Sequence, residues 1–185
     1  MEQKVILASA SPRRQELLKN IFPLFTVCPS KAEEIIPESL DVFDAPEYLA
    51  RLKAFDIAKD NTSALIIAAD TAVIIGDEIL GKPKDKTDAF KMISKLSGKT
   101  HYVVTGCALV KNGIIKSFSQ KTAVTFYKLT ENEILSYIDT NEPYDKAGAY
   151  GIQGKASLLV EKIDGDYFNV VGLPIAKLYR ELENF

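Results

Sequence analysis

A chain of 185 residues, 46% hydrophobic and 26% charged, is long enough for one large domain or two small lobes and has an ordinary globular composition. Its net charge of −2, with acids and bases interspersed, leaves no basic block for a nucleic-acid surface, and no apolar stretch approaches the ~20 residues of a membrane span. Two cysteines, Cys28 and Cys107, give no disulfide framework or thiolate zinc site, and the single histidine, His101, excludes a His-rich metal centre. A reducing cytoplasm is the expected home. The first residues, Met1-Glu2-Gln3-Lys4, run straight toward a strand and do not read as a signal peptide.

The apolar run Val5-Ile6-Leu7-Ala8 reads as a strand, followed by a tight loop and a helix that opens at Ser11-Pro12. Ser11 is a good N-cap, and Pro12 suits the first helical position, where a missing N–H costs nothing. Arg13 and Arg14 then occupy the first helical turn, where the helix dipole disfavours positive charge. Either this is a solvated basic helix start, or backbone N–H groups, the hydroxyls of Ser9 and Ser11 and two guanidinium forks form a phosphate cradle.

Residues 25–28 read as a short strand leading into an acidic loop with Glu33 and Glu34. Pro46 opens a helix running to about Lys59, with Leu49, Leu52 and Phe55 as its apolar stripe. Lys53 shares a line with Leu49 and Ile57, so it either snorkels from the edge of the packed face or reaches a site. The run 64–69 is continuously apolar, as expected of a central strand buried on both faces, and the expectation is that it stops at Asp70. A carboxylate at the end of a buried strand is costly unless paired, hydrogen-bonded or metal-bound. Asp70 is therefore either a functional group or a capping aspartate, with Thr71 immediately after it.

Residues 73–80 read as a hairpin about Gly76-Asp77, ending in Gly81-Lys82-Pro83, a rigid turn that presents one lysine. A helix is predicted over 88–96, N-capped by Thr87 and closed by Gly98. Two long strands follow over 100–110 and 114–127, joined at Lys111-Asn112-Gly113 with its Asn-Gly hairpin signature. His101 falls in the first of them as an ordinary strand histidine. Thr130 and Glu133 have capping-box spacing for a short helix to about Ile138. The segment 145–154 is glycine-rich and aperiodic, a backbone that must approach something closely. Its Gly154-Lys155 is not a P-loop, since Ala149 and Ala156 replace the required glycine and hydroxyl residue. Strands are expected over 158–163 and 167–171, and a C-terminal helix from Pro174. Helices mixed with isolated buried strands and hairpins define an α/β (α+β) chain with a mixed sheet.

Ser9, Arg13, Arg14, Lys53, Asp70, Lys82 and Gln153, with Glu34 from the acidic loop, are polar groups where apolar ones would be expected. Cations suit a polyphosphate, and carboxylates can hold a divalent metal and direct a water at phosphorus. No Ser-His or Cys-His nucleophile is available, so water is the simplest nucleophile, with Asp70 as general base or as a metal-held water positioner. The Gln153 amide offers an acceptor beside a donor, which matches the N3–H and O4 of uracil or thymine, although a guanine edge would also accept it.

Ile6-Leu7-Ala8-Ser9-Ala10-Ser11-Pro12-Arg13-Arg14, Ala69-Asp70-Thr71, Gly81-Lys82-Pro83, Thr105-Gly106, the run 145–154 and Asn169-Val170-Val171-Gly172-Leu173-Pro174 together resemble the Maf family, in order and over nearly the full length. The resemblance implies a two-lobed α/β fold similar to the inosine triphosphate pyrophosphatases, a single Maf-like domain over 1–185 whose lobes share a central cleft. It implies a cytoplasmic, homodimeric, divalent-metal-dependent (Mg or Mn) enzyme converting a nucleoside triphosphate to the monophosphate and pyrophosphate. Carried over by motif, Asp70 is the proton acceptor. Arg13, Thr71 and Gln153 set base choice, Ser9, Arg14, Lys53 and Lys82 hold phosphates, and Glu34 joins Asp70 at the metal. The residues at 13, 71 and 153 resemble the branch acting on dTTP and UTP rather than the one acting on 7-methyl-GTP. The family's link to arrest of septum formation leaves a second reading, a nucleotide-binding regulator of cell division with incidental hydrolysis.

Overall fold

A computed structural model describes residues 3–185; Met1 and Glu2, and with them part of the expectation for the N-terminal start, lie outside the described residues. The strands hydrogen-bond in the order β2-β1-β3-β5-β6-β7, with β4 added to β3, in a mixed sheet. The chain divides into two compact units: one holds the chain up to Asp70, Thr105–Gln120 and Gly172–Phe185, and the other holds Thr71–Val104 and Lys121–Val171.

In the first unit β1 (Val5–Leu7) pairs in parallel with β2 (Thr26–Val27) and β3 (Leu65–Ile75). Side chains alternate between the two faces of a strand, and here both faces are covered. Val5, Leu7, Leu65, Ile67 and Ala69 pack with Leu18 of α1 (Pro12–Leu18) and Leu178 of α6 (Ile175–Glu183). Ile6, Ala8, Ile66 and Ala68 pack instead with Ala50, Ala54 and Ile57 of α2 (Ala45–Ala58). The buried line of α2 is thus Leu49, Ala50, Ala54 and Ile57 rather than the expected stripe through Phe55, which is 42% exposed. Small alanines let the helix axis approach the sheet, which a bulkier stripe would prevent. Gly106 makes the same approach possible at the helix start: a Cβ there would sit 2.2 Å from the Glu47 nitrogen.

The expectation that the buried run stops at Asp70 is corrected. β3 continues to Ile75, and Asp70 and Thr71 are two half-buried residues between fully buried stretches. Apolar residues resume at Ala72, so the carboxylate interrupts a strand rather than ending it.

In the second unit the end of β3 forms a hairpin with β4 (Glu78–Leu80), Val73 facing Leu80 and Ile75 facing Glu78. α3 (Lys86–Leu96) begins earlier than expected, because Asp85, not Thr87, is its N-cap and accepts from the Asp88 N–H at 2.8 Å. β5 (Thr100–Lys111) and β6 (Ile114–Phe126) each have residues in both units, and the turn that joins them, Asn112-Gly113 of the first unit, has positive φ at both positions, as an Asn-Gly hairpin requires. α4 (Glu131–Ile138) carries the full capping box between Thr130 and Glu133. β7 (Val160–Asp164) runs antiparallel to β6. The strand expected over 167–171 is instead a helix, α5 (Tyr167–Val171). Asp166 accepts from the Phe168 N–H at 2.8 Å to start it, and Asn169, Val170 and Val171 are buried in succession rather than in alternation. The Asn169 amide donates to the Val103 carbonyl at 2.9 Å and to Thr122 Oγ1 at 2.8 Å, which ties this helix to the sheet.

Candidate active site

In the first unit the loop after β1 folds around one hydroxyl. Ser9 Oγ accepts from the Ser11 N–H at 3.3 Å and from Arg14 Nη1 at 3.1 Å, while Ser11 Oγ caps α1 by accepting from the Arg14 N–H at 3.4 Å. Pro12 stands in the first turn, as the sequence predicted. Arg14 Nε donates to the Gly172 carbonyl at 2.9 Å. The penalty of placing Arg14 in the first turn is thereby offset by a carbonyl and a hydroxyl that need donors. Burial pulls the Arg14 guanidinium below its usual pKa and Arg13 adds to this, while Asp70, Cys107 and Glu34 act in the opposite direction. Arg13 is half-buried one residue earlier in the same turn.

A second group stands on β3, α2 and the acidic loop. Lys53 Nζ lies 2.6 Å from Asp70 Oδ1 and 3.0 Å from Glu34 Oε1. Both Lys53 and Asp70 are largely withdrawn from solvent, whereas Glu34 is half-exposed, with side-chain exposures of 13%, 16% and 51%. The Lys53 ammonium is therefore turned inward onto two carboxylates rather than out to solvent, as a snorkelling lysine would place it. The loop carrying Glu34 is fastened to α2 by Asp56, whose carboxylate accepts from Ser30 Oγ at 2.8 Å and from the Lys31 N–H at 2.9 Å. Those two donors hold the Asp56 carboxyl below its ordinary range. Nothing in the sequence pattern marked Ser30 or Asp56, because they act through a loop and a helix 26 residues apart.

Among the described residues no group of three or more His, Cys, Asp or Glu could hold a metal ion. Glu34 and Asp70 offer two hard carboxylates already gathered about one cation, the Lys53 ammonium. That donor set fits a magnesium-like ion that takes its other ligands from water and substrate phosphates rather than from a protein cage.

Three predicted site residues belong to the second unit. Thr71 is half-buried on β3. Lys82 is exposed just after β4, next to Gly81, whose carbonyl accepts from the Gly148 N–H at 2.9 Å. Gln153 is exposed between buried Ile152 and Gly154. The structure thus brings Ser9 together with Arg14, and Glu34 together with Lys53 and Asp70. His101, expected as an ordinary strand residue, is fully buried and hydrogen-bonded to Tyr150. No helix among the described residues is long and apolar enough to cross a membrane.

This architecture is shared with two solved structures over almost the whole of each chain. One is the Staphylococcus aureus Ham1 protein, with TM-score 0.57 and 17% identity over 98% of this chain and 99% of that one. The other is a HAM1 protein from Coxiella burnetii, with TM-score 0.57 and 12% identity over 100% of both chains. At those identities the likeness defines a Ham1-like α/β fold and nothing finer. The sequence is more specific: the model of the Maf-like protein family matches residues 4–185, and the chain belongs to that family. A Carboxydothermus hydrogenoformans protein named dTTP/UTP pyrophosphatase is 50% identical over 98% of each chain. A Bacillus pumilus protein of the same name is 51% identical over 98% of this chain and 96% of its own.

Proposed function

We propose that this chain is an enzyme that hydrolyses dTTP and UTP to the nucleoside monophosphate and pyrophosphate. The observation that carries the reading is the Glu34–Lys53–Asp70 cluster, whose Asp70 interrupts a buried strand where an apolar residue would cost less. Relatives near 50% identity that bear the name dTTP/UTP pyrophosphatase support it.

Asp70 is the proton acceptor. A water oxygen attacks the α-phosphorus, its proton passes to the Asp70 carboxylate, the new P–O bond gives the monophosphate, and the bridging P–O bond breaks to release pyrophosphate. Ser9, Arg14, Lys53 and Lys82 hold phosphate oxygens, with cationic and hydroxyl donors matched to the negative charge. Asp70 and Glu34 would hold a divalent ion, Mg²⁺ or Mn²⁺, which when bound neutralises charge on the phosphates. Gln153 reads the base: its carbonyl accepts N3–H and its amide N–H donates to O4 of uracil or thymine, with Arg13 and Thr71 completing the choice. The resemblance to Maf proteins also supports a cytoplasmic homodimer, and light scattering on the purified chain checks the oligomer.

The test is pyrophosphate release from a panel of nucleoside triphosphates with Mg²⁺ or Mn²⁺. Pyrophosphate from dTTP and UTP, lowered by about 10²–10⁴-fold in Asp70→Asn, supports the reading. Orthophosphate in its place would move the attack to the γ-phosphorus, and no turnover of any nucleotide would leave a binding regulator as the better account.

A further inference from the structure

The segment that presents Gln153 is held at both ends by residues that have no part in the reaction above. Upstream, Gly148 and Ala149 both have left-handed backbones, with φ of 66° and 62°. Glycine adopts this freely, but alanine does so at a cost on the order of 1–2 kcal/mol, so the surroundings must impose it. The Gly148 N–H donates to the Gly81 carbonyl at 2.9 Å, and a Cβ on Gly148 would lie 2.8 Å from a Val73 methyl. The Tyr137 hydroxyl donates to the Ala149 carbonyl at 3.1 Å. The next residue, Tyr150, is buried, with its hydroxyl 2.6 Å from His101 Nε2. The rings of His101, Phe126 and Tyr150 meet edge to face, with centroids 4.8 to 5.3 Å apart.

His101 is an expensive way to fill that place. It is fully buried, and its Nδ1 has no hydrogen-bond partner. An unsatisfied buried polar atom costs about 1–3 kcal/mol, which an apolar side chain of similar size would not incur. What the imidazole supplies and an apolar ring cannot is the bond to the Tyr150 hydroxyl.

Downstream, Gln153 is followed by Gly154, whose φ of 70° turns the chain back over Glu142. The Glu142 carboxylate oxygens accept from the Lys155 N–H at 3.1 and 3.0 Å. A Cβ on Gly154 would meet that carboxylate at 2.7 Å, so the glycine is what allows the approach. Gln153 is therefore an exposed side chain on a short strap with a fixed point on either side.

We propose that Tyr150, backed by His101, and Glu142 are positioning residues for base selection, fixing the two ends of the strap that presents the Gln153 amide. The proposal rests on the reading of Gln153 as the group that recognises the base. An amide that must offer its oxygen to N3–H and its N–H to O4 at once tolerates little displacement, since misplacement by about 1 Å is enough to cost large factors in rate. UTP and CTP differ at both of those base positions and share every other group, so their ratio reports the amide's placement directly.

The experiment measures kcat/KM for UTP and CTP, with a melting temperature for each protein. The panel is the wild type, Gln153→Ala, Tyr150→Phe, Glu142→Ala and Glu142→Gln. Gln153→Ala is expected to lower the UTP-to-CTP ratio by about tenfold or more. Tyr150→Phe and Glu142→Ala are expected to lower it by about three- to tenfold, mainly through a higher KM for UTP. Glu142→Gln is expected to restore the ratio, because its carbonyl oxygen still accepts from the Lys155 N–H. A residue that serves only stability would lower both substrates by the same factor. Wild-type ratios in Tyr150→Phe and Glu142→Ala, alongside a collapsed ratio in Gln153→Ala, would overturn the positioning role alone. A wild-type ratio in Gln153→Ala would overturn the base-reading role and this proposal with it. Should Tyr150→Phe fail to fold, the Glu142 pair decides the matter.

Discussion

Lys53 Nζ is 2.6 Å from Asp70 Oδ1, the shorter of the two ion pairs that the lysine makes. The two partners are not equivalent in what their loss would expose. Asp70→Asn removes one charge, yet Lys53 keeps Glu34, so the protein is expected to melt within a few degrees of wild type while turnover falls by about 10²–10⁴-fold. Lys53→Met leaves two carboxylates facing each other with no cation. Because Glu34 is half-exposed, solvent screens part of that repulsion, and the expected loss is about 1–2 kcal/mol together with most of the activity. Urea titrations beside pyrophosphate assays check both. A larger destabilisation in Asp70→Asn than in Lys53→Met would reverse the assignment.

Asp56 acts on the same cluster from a distance. Its carboxylate gathers the Ser30 hydroxyl and the Lys31 N–H, which fixes the part of the loop just before Glu34. Asp56→Ala is expected to lower kcat/KM about tenfold while nucleotide still binds, because Glu34 loses its fixed approach to Lys53. The carboxyl is held below its ordinary value of 3.8, so its contribution is complete above that pH and is lost as pH falls through the lower folded value. At neutral pH the anchor is therefore intact, and a drop in the wild type's activity near pH 6 would have another source.

The sequence made the strand–loop–helix opening legible because its signals are local. Ser11 and Pro12 announce a helix start through their own chemistry, and the unbroken apolar run Val5-Ile6-Leu7-Ala8 announces a strand. Thr130 and Glu133 are legible for the same reason. What escaped detection depends on partners remote in sequence. Tyr167, Phe168, Val170 and Val171 are strand-forming side chains, while the helix they adopt starts at the Asp166 cap and is tied by Asn169 to Val103 and Thr122. The Leu49-Leu52-Phe55 stripe failed because Ala50 and Ala54 lie against the sheet, and alanine gives little hydrophobic signal. Within the candidate site, the residue types were readable at Asp70, Lys53 and Glu34. Their mutual distances were not; Ser30, Asp56 and Glu142 carried no local mark, and Tyr150 was marked only as part of the glycine-rich run 145–154.

His101 gives the fold a sensitivity to acid. Burial lowers its pKa from 6.5 to about 4, so the folded protein holds the ring neutral where the unfolded chain would protonate it. Its contribution is fully present above pH 6.5 and is lost as pH falls through that value toward about 4. The full swing corresponds to about 3 kcal/mol. His101→Gln is expected to remove this component. The gap between wild-type and variant stability should then narrow from pH 7.5 to pH 4.5 in urea titrations at matched ionic strength. A gap that stays constant across that range would show that the ring is not kept neutral by the fold.

Arg13 and Arg14 are adjacent in sequence but make different demands on the fold. Arg14 donates to the Gly172 carbonyl at 2.9 Å and to Ser9 Oγ at 3.1 Å, one guanidinium spanning two acceptors. A lysine has one nitrogen and no fork, so Arg14→Lys should leave at least one of those acceptors without its donor, at a cost of about 1–3 kcal/mol. The Ser9 loop would loosen with it, and activity should fall along with stability. Arg13 sits in the first helical turn, where a positive charge opposes the helix dipole, so Arg13→Ala should change stability by less than about 1 kcal/mol. Its effect is expected in catalysis instead, as a fall in kcat/KM for UTP and dTTP. Parallel melting curves and kinetics on the two variants separate these outcomes. A large drop in Tm for Arg13→Ala would move Arg13 from the substrate to the scaffold.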